Sequence, residues 1–181
     1  STQFTLGGGT DSSPSSTTAF TLETLADGTI MNNADSTTRT NNVLLSGSVH
    51  NIRYEISNIN NSKGTFTLAI RAGNDTDKRK QTIETFTGIN LDPNSTNYIS
   101  KVIGDQKQEV GTDGTTKYLK LVGDYPNKSR FVRVSSVVSN TIDYLDENGK
   151  VRVPAASSSL PANGSGSNNG GFSGGSDGLI G

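Results

Sequence analysis

Apolar residues recur at every second position over short runs of this chain, and this spacing most limits the folds open to it. Two such runs span 50–57 and 65–71, and their inward-facing residues are Ile52, Tyr54, Ile56, Phe66, Leu68 and Ile70. A period of two is typical of a strand with one buried face. The polar, glycine-containing segment 58–64 between the runs predicts that they form an antiparallel pair.

Other short apolar runs predict further strands. Three of them span 20–25, 81–86 and 131–138. Turns that contain glycine, at 112–114 and 147–149, each separate two apolar runs and therefore predict two more hairpins. The runs that flank these turns are 108–110, 118–122, 142–145 and 151–153.

One segment has the spacing of a helix. Asp92 precedes Pro93, a pair typical of a capped helix start, and Gly104 is placed to end the helix. Between them the apolar residues fall at helical spacing: Tyr98, Ile99, Val102 and Ile103. The pattern predicts an amphipathic helix of about three turns.

The predicted fold class is α+β, with mainly short antiparallel strands and one short helix, flanked by flexible Gly/Ser-rich ends. Residues 1–19 are predicted to be a flexible Gly/Ser/Thr-rich arm or linker, in which Phe4 and Leu6 could form a short strand. Residues 20–153 are predicted to be the β-rich domain, and 154–181 a low-complexity connector. Because the chain opens without methionine and closes on a Gly-rich run, we expect a piece of a longer protein.

Composition excludes several classes of function. Only 30% of the 181 residues are hydrophobic, whereas 84 of the 181 are Ser, Thr, Asn or Gly. The net charge of −1 leaves no basic excess for nucleic-acid phosphates. No apolar run reaches the roughly 18 residues that span a bilayer. Without cysteine, the chain has neither disulfides nor Cys-based zinc sites, and its single histidine excludes sites that need several.

Residues that could carry chemistry lack a recognisable reactive pattern. His50 has no accompanying G-x-S-x-G nucleophile motif, so an ordinary surface histidine is predicted. Asn74, Asp75 and Asp77 lack the EF-hand pattern, and the cationic residues 78–80 that follow would repel a metal ion. A solvated loop with local charge compensation is therefore predicted at this point.

Carboxylates and glycine-rich stretches elsewhere are interpreted in the same way. Asp143, Asp146 and Glu147 cluster at a tight turn rather than across a cleft, which disfavours a glycosidase pair. Gly7–Thr10 and Gly164–Gly171 lack the Gly-Lys-Ser/Thr of a phosphate loop and are predicted to be linkers. We predict no enzyme activity and no catalytic, cofactor-binding or metal-binding residue. Five N-x-S/T triplets, attributed to chance, begin at Asn60, Asn74, Asn94, Asn127 and Asn163.

Two groups of basic residues are candidates for contacts with acidic protein surfaces. One is 78–80, and the other is Lys117 and Lys120 beside Tyr118. Two interpretations stay open for both groups: salt bridges to neighbouring protein subunits, or a solvated strand edge.

Three stretches together resemble the contractile tail sheath proteins of myovirus-type bacteriophages. They are FTLETLADGTIMNN at 20–33, GTFTLAIRAGNDTDKRKQTIETFTGINLDPNSTNYISKVIGD at 64–105 and FSGGSDG at 172–178. The second is the most specific, because it has the family's order of an F-x-L-x-I-R strand, a polar hairpin, a strand ending in Phe, a Leu-Asp-Pro-x-Ser turn and a helix. Residues 110–154 match the family only loosely, and 32–51 have no counterpart in it.

The resemblance implies a structural role without cofactor. Copies of a sheath protein form hexameric rings stacked around a tail tube, and a baseplate signal lets them repack into a shorter, wider lattice that drives the tube through the host envelope. The chain would be a mid-chain sheath domain, with 154–181 leading to a C-terminal domain. Its partners would be other sheath copies, tube and baseplate proteins, without nucleic acid or membrane insertion. Its location would be the virion tail, assembled in the host bacterial cytoplasm, or a phage-derived injection device.

Two other functions stay open from the sequence. One is a β-rich adhesin or receptor-binding module of a phage or cell surface, because Thr/Asn-rich strands suit that role too. The other is a tail-associated glycosidase or peptidase, which would need a convergent polar pocket that we do not expect.

Overall fold

The computed structural model describes most of the central chain and short pieces of both ends. The described residues are 3–8, 17–25, 39–40, 43–44, 52–73, 75–76, 78–138, 140–153, 160–161 and 169–171. His50, Asn74 and Asp77 lie outside these residues.

The described residues form eleven strands and one short helix. In chain order they are β1 Gln3–Gly8, β2 Thr17–Thr24, β3 Arg39–Thr40, β4 Val43–Leu44, β5 Ile52–Asn60, β6 Thr65–Ala72, β7 Thr82–Asn90, α1 Ile99–Ile103, β8 Lys107–Asp113, β9 Thr116–Val122, β10 Val132–Val137 and β11 Asn169–Gly171. The fold is therefore dominated by strands, as the alternating runs predict. No helix in this part of the chain is long and apolar enough to cross a membrane.

The strands form four small antiparallel sheets. One has the order β11-β5-β6-β7, a second has the order β1-β2-β10, and the other two are the pairs β3-β4 and β8-β9. Ile52 lies opposite Ala72, Tyr54 opposite Ile70 and Ile56 opposite Leu68, so the antiparallel pairing predicted for β5 and β6 is confirmed. All described pairings between named strands are antiparallel.

Side chains from the two larger sheets and the helix meet in one apolar core. The rings of Phe20 and Phe66 stack across it with their centroids 5.7 Å apart, which joins β2 to β6. Other fully buried members come from β5, β6, β7, α1 and β10: Ile52, Leu68, Ile70, Ile89, Ile99, Ile103 and Val132. Burying these aliphatic and aromatic side chains is the main contribution that holds the sheets together.

The helix is shorter than its sequence predicts. It begins at Ile99 instead of Pro93 and ends before Gly104, as expected. Asp92 caps a turn rather than the helix, because its Oδ1 accepts a hydrogen bond from the backbone N–H of Asn94 at 3.0 Å. The Ser95 hydroxyl likewise accepts from the N–H of Asn97 at 3.1 Å. Such local bonds to Asp and Ser compete with helical hydrogen bonds and delay the start of the helix.

One other expectation is corrected by the strand pairing, and another is confirmed. Residues 142–145 and 151–153 are joined only by an isolated bridge between Leu145 and Val151, not by a hairpin of two strands, although the turn at Gly149 forms as predicted. The short strand predicted around Phe4 and Leu6 is confirmed as β1, which pairs with β2. At the other end β11 pairs with β5; backbone hydrogen bonds to a sheet edge need no apolar side chain, which is why composition does not predict β11. The domain boundaries stay a prediction.

Candidate functional site

The β8–β9 hairpin stands apart from the other sheets of the described chain. Its two strands pair in register from Lys107 opposite Val122 to Asp113 opposite Thr116, and no third strand of the described residues joins them. Gly114 has a φ of 58° in the connecting turn, a conformation that glycine adopts without strain. This hairpin is confirmed as predicted from the sequence.

Close backbone packing fixes the hairpin to the end of α1. Gly104 follows the helix with a φ of 107°, and a Cβ built on it would lie 2.3 Å from the Cα of Asn127. The oxygen of Gly104 accepts a hydrogen bond from the N–H of Val134 in β10 at 2.8 Å. Only glycine permits both this φ and this approach, so the chain leaves the core at one fixed point.

Reciprocal hydrogen bonds clamp the base of the hairpin. The Asn127 amide donates to the Gln106 oxygen at 2.7 Å and accepts from the Gln106 N–H at 3.0 Å. The Asp105 carboxylate accepts from the Tyr125 N–H at 2.8 Å. Arg133 of β10 donates to the Asp105 oxygen at 3.1 Å. We call residues 105, 106, 125 and 127 the base clamp; it holds the hairpin firmly on the sheet that carries β10.

One face of the hairpin is apolar and exposed. Residues directly opposite each other in an antiparallel pair lie on the same face, and this face contains Gln108, Val110, Thr112, Lys117, Leu119 and Leu121. Val110 is 64% exposed, Leu119 is 70% and Leu121 is 60%. We call this the apolar face. Fully burying one such side chain contributes about 1.5–3 kcal/mol, so a partner that covered all three would gain appreciable binding free energy.

On the opposite face, the charged side chains pair with one another within the hairpin. Lys107 lies 2.5 Å and Lys120 3.8 Å from the carboxylate oxygens of Glu109. The hydrogen bond from Lys107 lowers the pKa of the Glu109 carboxyl, and the charge of Lys120 lowers it further. The ring of Tyr118 lies over Gly111, where a Cβ would meet it at 2.6 Å. The two faces therefore differ: charges pair on one, while apolar side chains remain uncovered on the other.

A second exposed apolar surface lies on residues 141–153, which we call the turn segment; its exposed charged residues are Asp143, Glu147, Lys150 and Arg152. Ile142 is 61% and Val153 54% exposed. The segment is fixed to the core because the Tyr144 hydroxyl donates to the oxygen of Asn61 at 2.6 Å. Arg152 joins its two halves through a hydrogen bond to the Asp143 oxygen at 3.3 Å.

One carboxylate of this segment caps the turn. Asp146 Oδ1 accepts hydrogen bonds from the N–H groups of Asn148 at 2.9 Å and Lys150 at 2.8 Å. Asp143 and Glu147 are exposed on either side of it. This is the clustering at a tight turn that the sequence predicts.

The region of Asp75 is not the solvated loop that the sequence predicts. Its carboxylate is buried and accepts a hydrogen bond from Arg71 Nε at 2.5 Å, while Arg53 lies 3.7 Å away. Arg71 also donates to Glu55 at 3.1 Å. The balancing cations therefore come from strands β5 and β6, whereas Lys80 pairs with Glu55 at 2.5 Å. The prediction missed this because Arg71 occupies a strand position whose burial depends on the neighbouring strand.

A second buried ion pair also escaped the sequence prediction. Arg133 of β10 pairs with Glu23 of β2, directly across the two strands. Two opposite charges far apart in sequence gave no signal of this pairing, since only the sheet brings them together. Among the described residues, no group of three or more His, Cys, Asp or Glu side chains could hold a metal ion.

The described residues of the two glycine-rich stretches lie in strands. Gly7 and Gly8 lie in β1, opposite Thr18 and Thr17. Gly170 and Gly171 lie in β11, opposite Tyr54 and Arg53. The described glycines of both stretches therefore lie in sheet-edge strands instead of linkers, and residues 9–10 and 164–168 lie outside the described residues. Comparisons with protein-family models, with curated proteins and with solved structures found no match to this chain.

Proposed function

We propose that this chain is a structural subunit of a contractile phage tail sheath and that it acts through contacts between copies. The observation that carries this proposal is the β8–β9 hairpin, whose apolar face is exposed although its base is held firmly. Exposed apolar clusters on a rigid support are typical of protein interaction surfaces.

The resemblance supplies the identity of the assembly. Its most specific stretch, 64–105, covers β6, the polar tip at 75–80, β7, the turns after Leu91 and α1. This order of elements is compatible with the family order on which the resemblance rests. In the proposed role, copies form hexameric rings around a tail tube, and baseplate and tube proteins are further partners in the virion.

Contraction would need no bond chemistry from this domain. Free energy would be stored as a difference in packing between two lattices of the same subunits. We expect residues 20–153 to move as a rigid body, because one core joins both larger sheets and the helix. Structures of the extended and contracted assemblies test this, and a large internal rearrangement of 20–153 would contradict it.

Immunogold electron microscopy tests the function directly. An antibody raised against this chain should label phage particles along the length of the tail, in both extended and contracted forms. Label at fibre tips, together with binding of the purified chain to host cells or glycans, would instead support the adhesin. Absence of label from every contractile particle, or turnover of cell-wall or polysaccharide substrates, would also overturn the proposal.

A further inference from the structure

We infer that Asn148 is a site of spontaneous deamidation and that Asp146 controls the rate of this modification. Asn148 lies in an exposed turn that is held closed by hydrogen bonds to Asp146. Water is the one co-reactant that the reaction needs. The inference goes beyond the proposed function and does not depend on it.

Deamidation at this position proceeds through a cyclic imide. The backbone nitrogen of Gly149 gives up its proton and attacks Cγ of Asn148. A bond from this nitrogen to Cγ forms, the Cγ–Nδ2 bond breaks, and ammonia leaves with the proton. Water then opens one of the two imide C–N bonds, which gives aspartate or isoaspartate at position 148. Because glycine has no side chain, it hinders this ring closure less than any other residue does.

The Asn-Gly pairs of the chain differ in their surroundings. They begin at Asn148, Asn163 and Asn169. The first lies in a turn whose residues 147–150 are all exposed, and the second lies outside the described residues. The third lies in β11, where its backbone is paired with β5. A pair in an exposed turn can open without disrupting a sheet, whereas a pair in a strand cannot. Of the described pairs, Asn148 with Gly149 is therefore better placed to react.

The side chain of Asn148 is not held away from the backbone. Its backbone N–H donates to Asp146 Oδ1 at 2.9 Å, but within the described part of the chain no hydrogen bond involves its side-chain amide. By contrast, the side-chain amides of Asn90 and Asn127 donate to neighbouring oxygens at 2.8 Å and 2.7 Å. Cγ of Asn148 can therefore turn toward the nitrogen that attacks it.

Asp146 opposes the reaction by holding that nitrogen. The N–H of Gly149 donates to the Asp146 backbone oxygen at 3.0 Å and closes a β-turn. The Asp146 carboxylate fixes the same turn, because Oδ1 also accepts from the N–H of Lys150 at 2.8 Å. Gly149 must leave its hydrogen bond before its nitrogen can lose the proton and reach Cγ. The rate of deamidation therefore follows the fraction of molecules in which the turn is open, and the carboxylate lowers that fraction.

Isoaspartate at position 148 would lengthen the main chain inside the turn. The Lys150 oxygen accepts a hydrogen bond from the Asp146 N–H at 2.7 Å, so the two ends of the turn are matched in length. An added backbone carbon breaks this match and should loosen the adjoining bridge between Leu145 and Val151. Deamidation should therefore open the end of the turn segment and leave the core sheets unchanged.

Peptide mapping by mass spectrometry tests the site. During incubation of the folded full chain at neutral pH, Asn148 should convert faster than every other described asparagine, and both aspartate and isoaspartate should appear. Faster conversion at another described asparagine, or aspartate without isoaspartate, would overturn the inference. So would the absence of conversion at 148 over a period in which the chain unfolded in guanidinium converts there.

Substitution of Asp146 tests its control of the rate. Asp146→Ala removes the acceptor for two N–H groups and should raise the rate at position 148 by about tenfold, while the other asparagines keep their rates. Asp146→Asn keeps an oxygen at the acceptor position and should change the rate much less. Glu147→Ala removes the neighbouring exposed carboxylate, which caps no N–H of the described turn; it is the matched control and should leave the rate unchanged. No rise in Asp146→Ala, an equal rise in the control, or faster conversion of all asparagines would contradict the role of Asp146.

Discussion

At the scale of single residues, positive φ angles and buried charges decide how much a substitution lowers the free energy of unfolding. Gly64 and Gly88 have nearly equal φ values of 69° and 65°, yet their surroundings differ. A Cβ at Gly64 would lie 2.6 Å from the Tyr144 ring, whereas a Cβ at Gly88 would meet nothing within 4 Å. Comparing alanine substitutions at these two glycines therefore separates the cost of backbone strain from the cost of steric crowding.

Gly64→Ala should destabilise the protein more than Gly88→Ala. Both variants incur the backbone cost of a left-handed residue, about 1–2 kcal/mol, and Gly64→Ala adds about 1–3 kcal/mol because the Tyr144 ring must move. Urea denaturation of the two variants measures the difference. Equal losses would show that the ring yields without cost.

The buried ion pair of Arg71 and Asp75 leads to a second prediction. Asp75→Asn keeps the shape of the side chain but removes the charge that faces Arg71, and breaking a buried pair in this way should cost about 3 kcal/mol. Arg71 retains its hydrogen bond to Glu55, which limits the loss. Thermal unfolding provides the measurement. Glu109→Gln, in the exposed cluster on β8, is the control and should change stability little; a similar loss in both variants would contradict the argument.

At the scale of elements, the hairpin is stable because of its attachment as well as its own pairing. An isolated two-stranded sheet is marginally stable in water, and the described hairpin has no third strand. The base clamp compensates by fixing both strands where they leave the core.

Asn127→Ala should loosen the hairpin selectively. The substitution removes two side-chain hydrogen bonds to Gln106, which together stabilise the base by about 1–3 kcal/mol. Hydrogen exchange should become faster in 107–122 while the amides of β5 and β6 stay protected. Asn94→Ala, at an exposed turn, is the control. Faster exchange throughout the sheets would mean that Asn127 supports the whole fold instead of the hairpin.

At the scale of the whole molecule, one core connects the two larger sheets, and buried tyrosines make it sensitive to high pH. Burial raises the pKa of the phenols of Tyr54, Tyr98 and Tyr144 above the usual value near 10. The folded state therefore keeps phenolic protons that the unfolded state releases.

Stability should be constant with respect to these groups below about pH 10 and should fall as the pH rises above it. The sign follows because, above the unfolded pKa, the unfolded chain binds fewer protons than the folded one. Urea denaturation between pH 8 and 11, a range set by those reference values, measures the decline, and Tyr54→Phe should make it shallower. A stability that stays level across this range in the unmodified chain would contradict the argument.

The sequence by itself determined the local elements. Alternating apolar residues predict β5, β6 and the β8–β9 hairpin, because side-chain periodicity and turn residues act over a few neighbouring positions. Gly104 marked the end of the helix for the same reason, although its start was misplaced where Asp92 and Ser95 cap turns.

Only the tertiary structure decided which surfaces are buried and which stay exposed. The strand that buries Arg71 with Asp75, and the one that places Glu23 beside Arg133, are distant in sequence, so no local pattern reports them. The same holds for the apolar face: Val110 and Leu119 have the spacing of core residues, but no element of the described chain covers them. Burial depends on which segments meet in space, and that is decided by the packing of the whole chain.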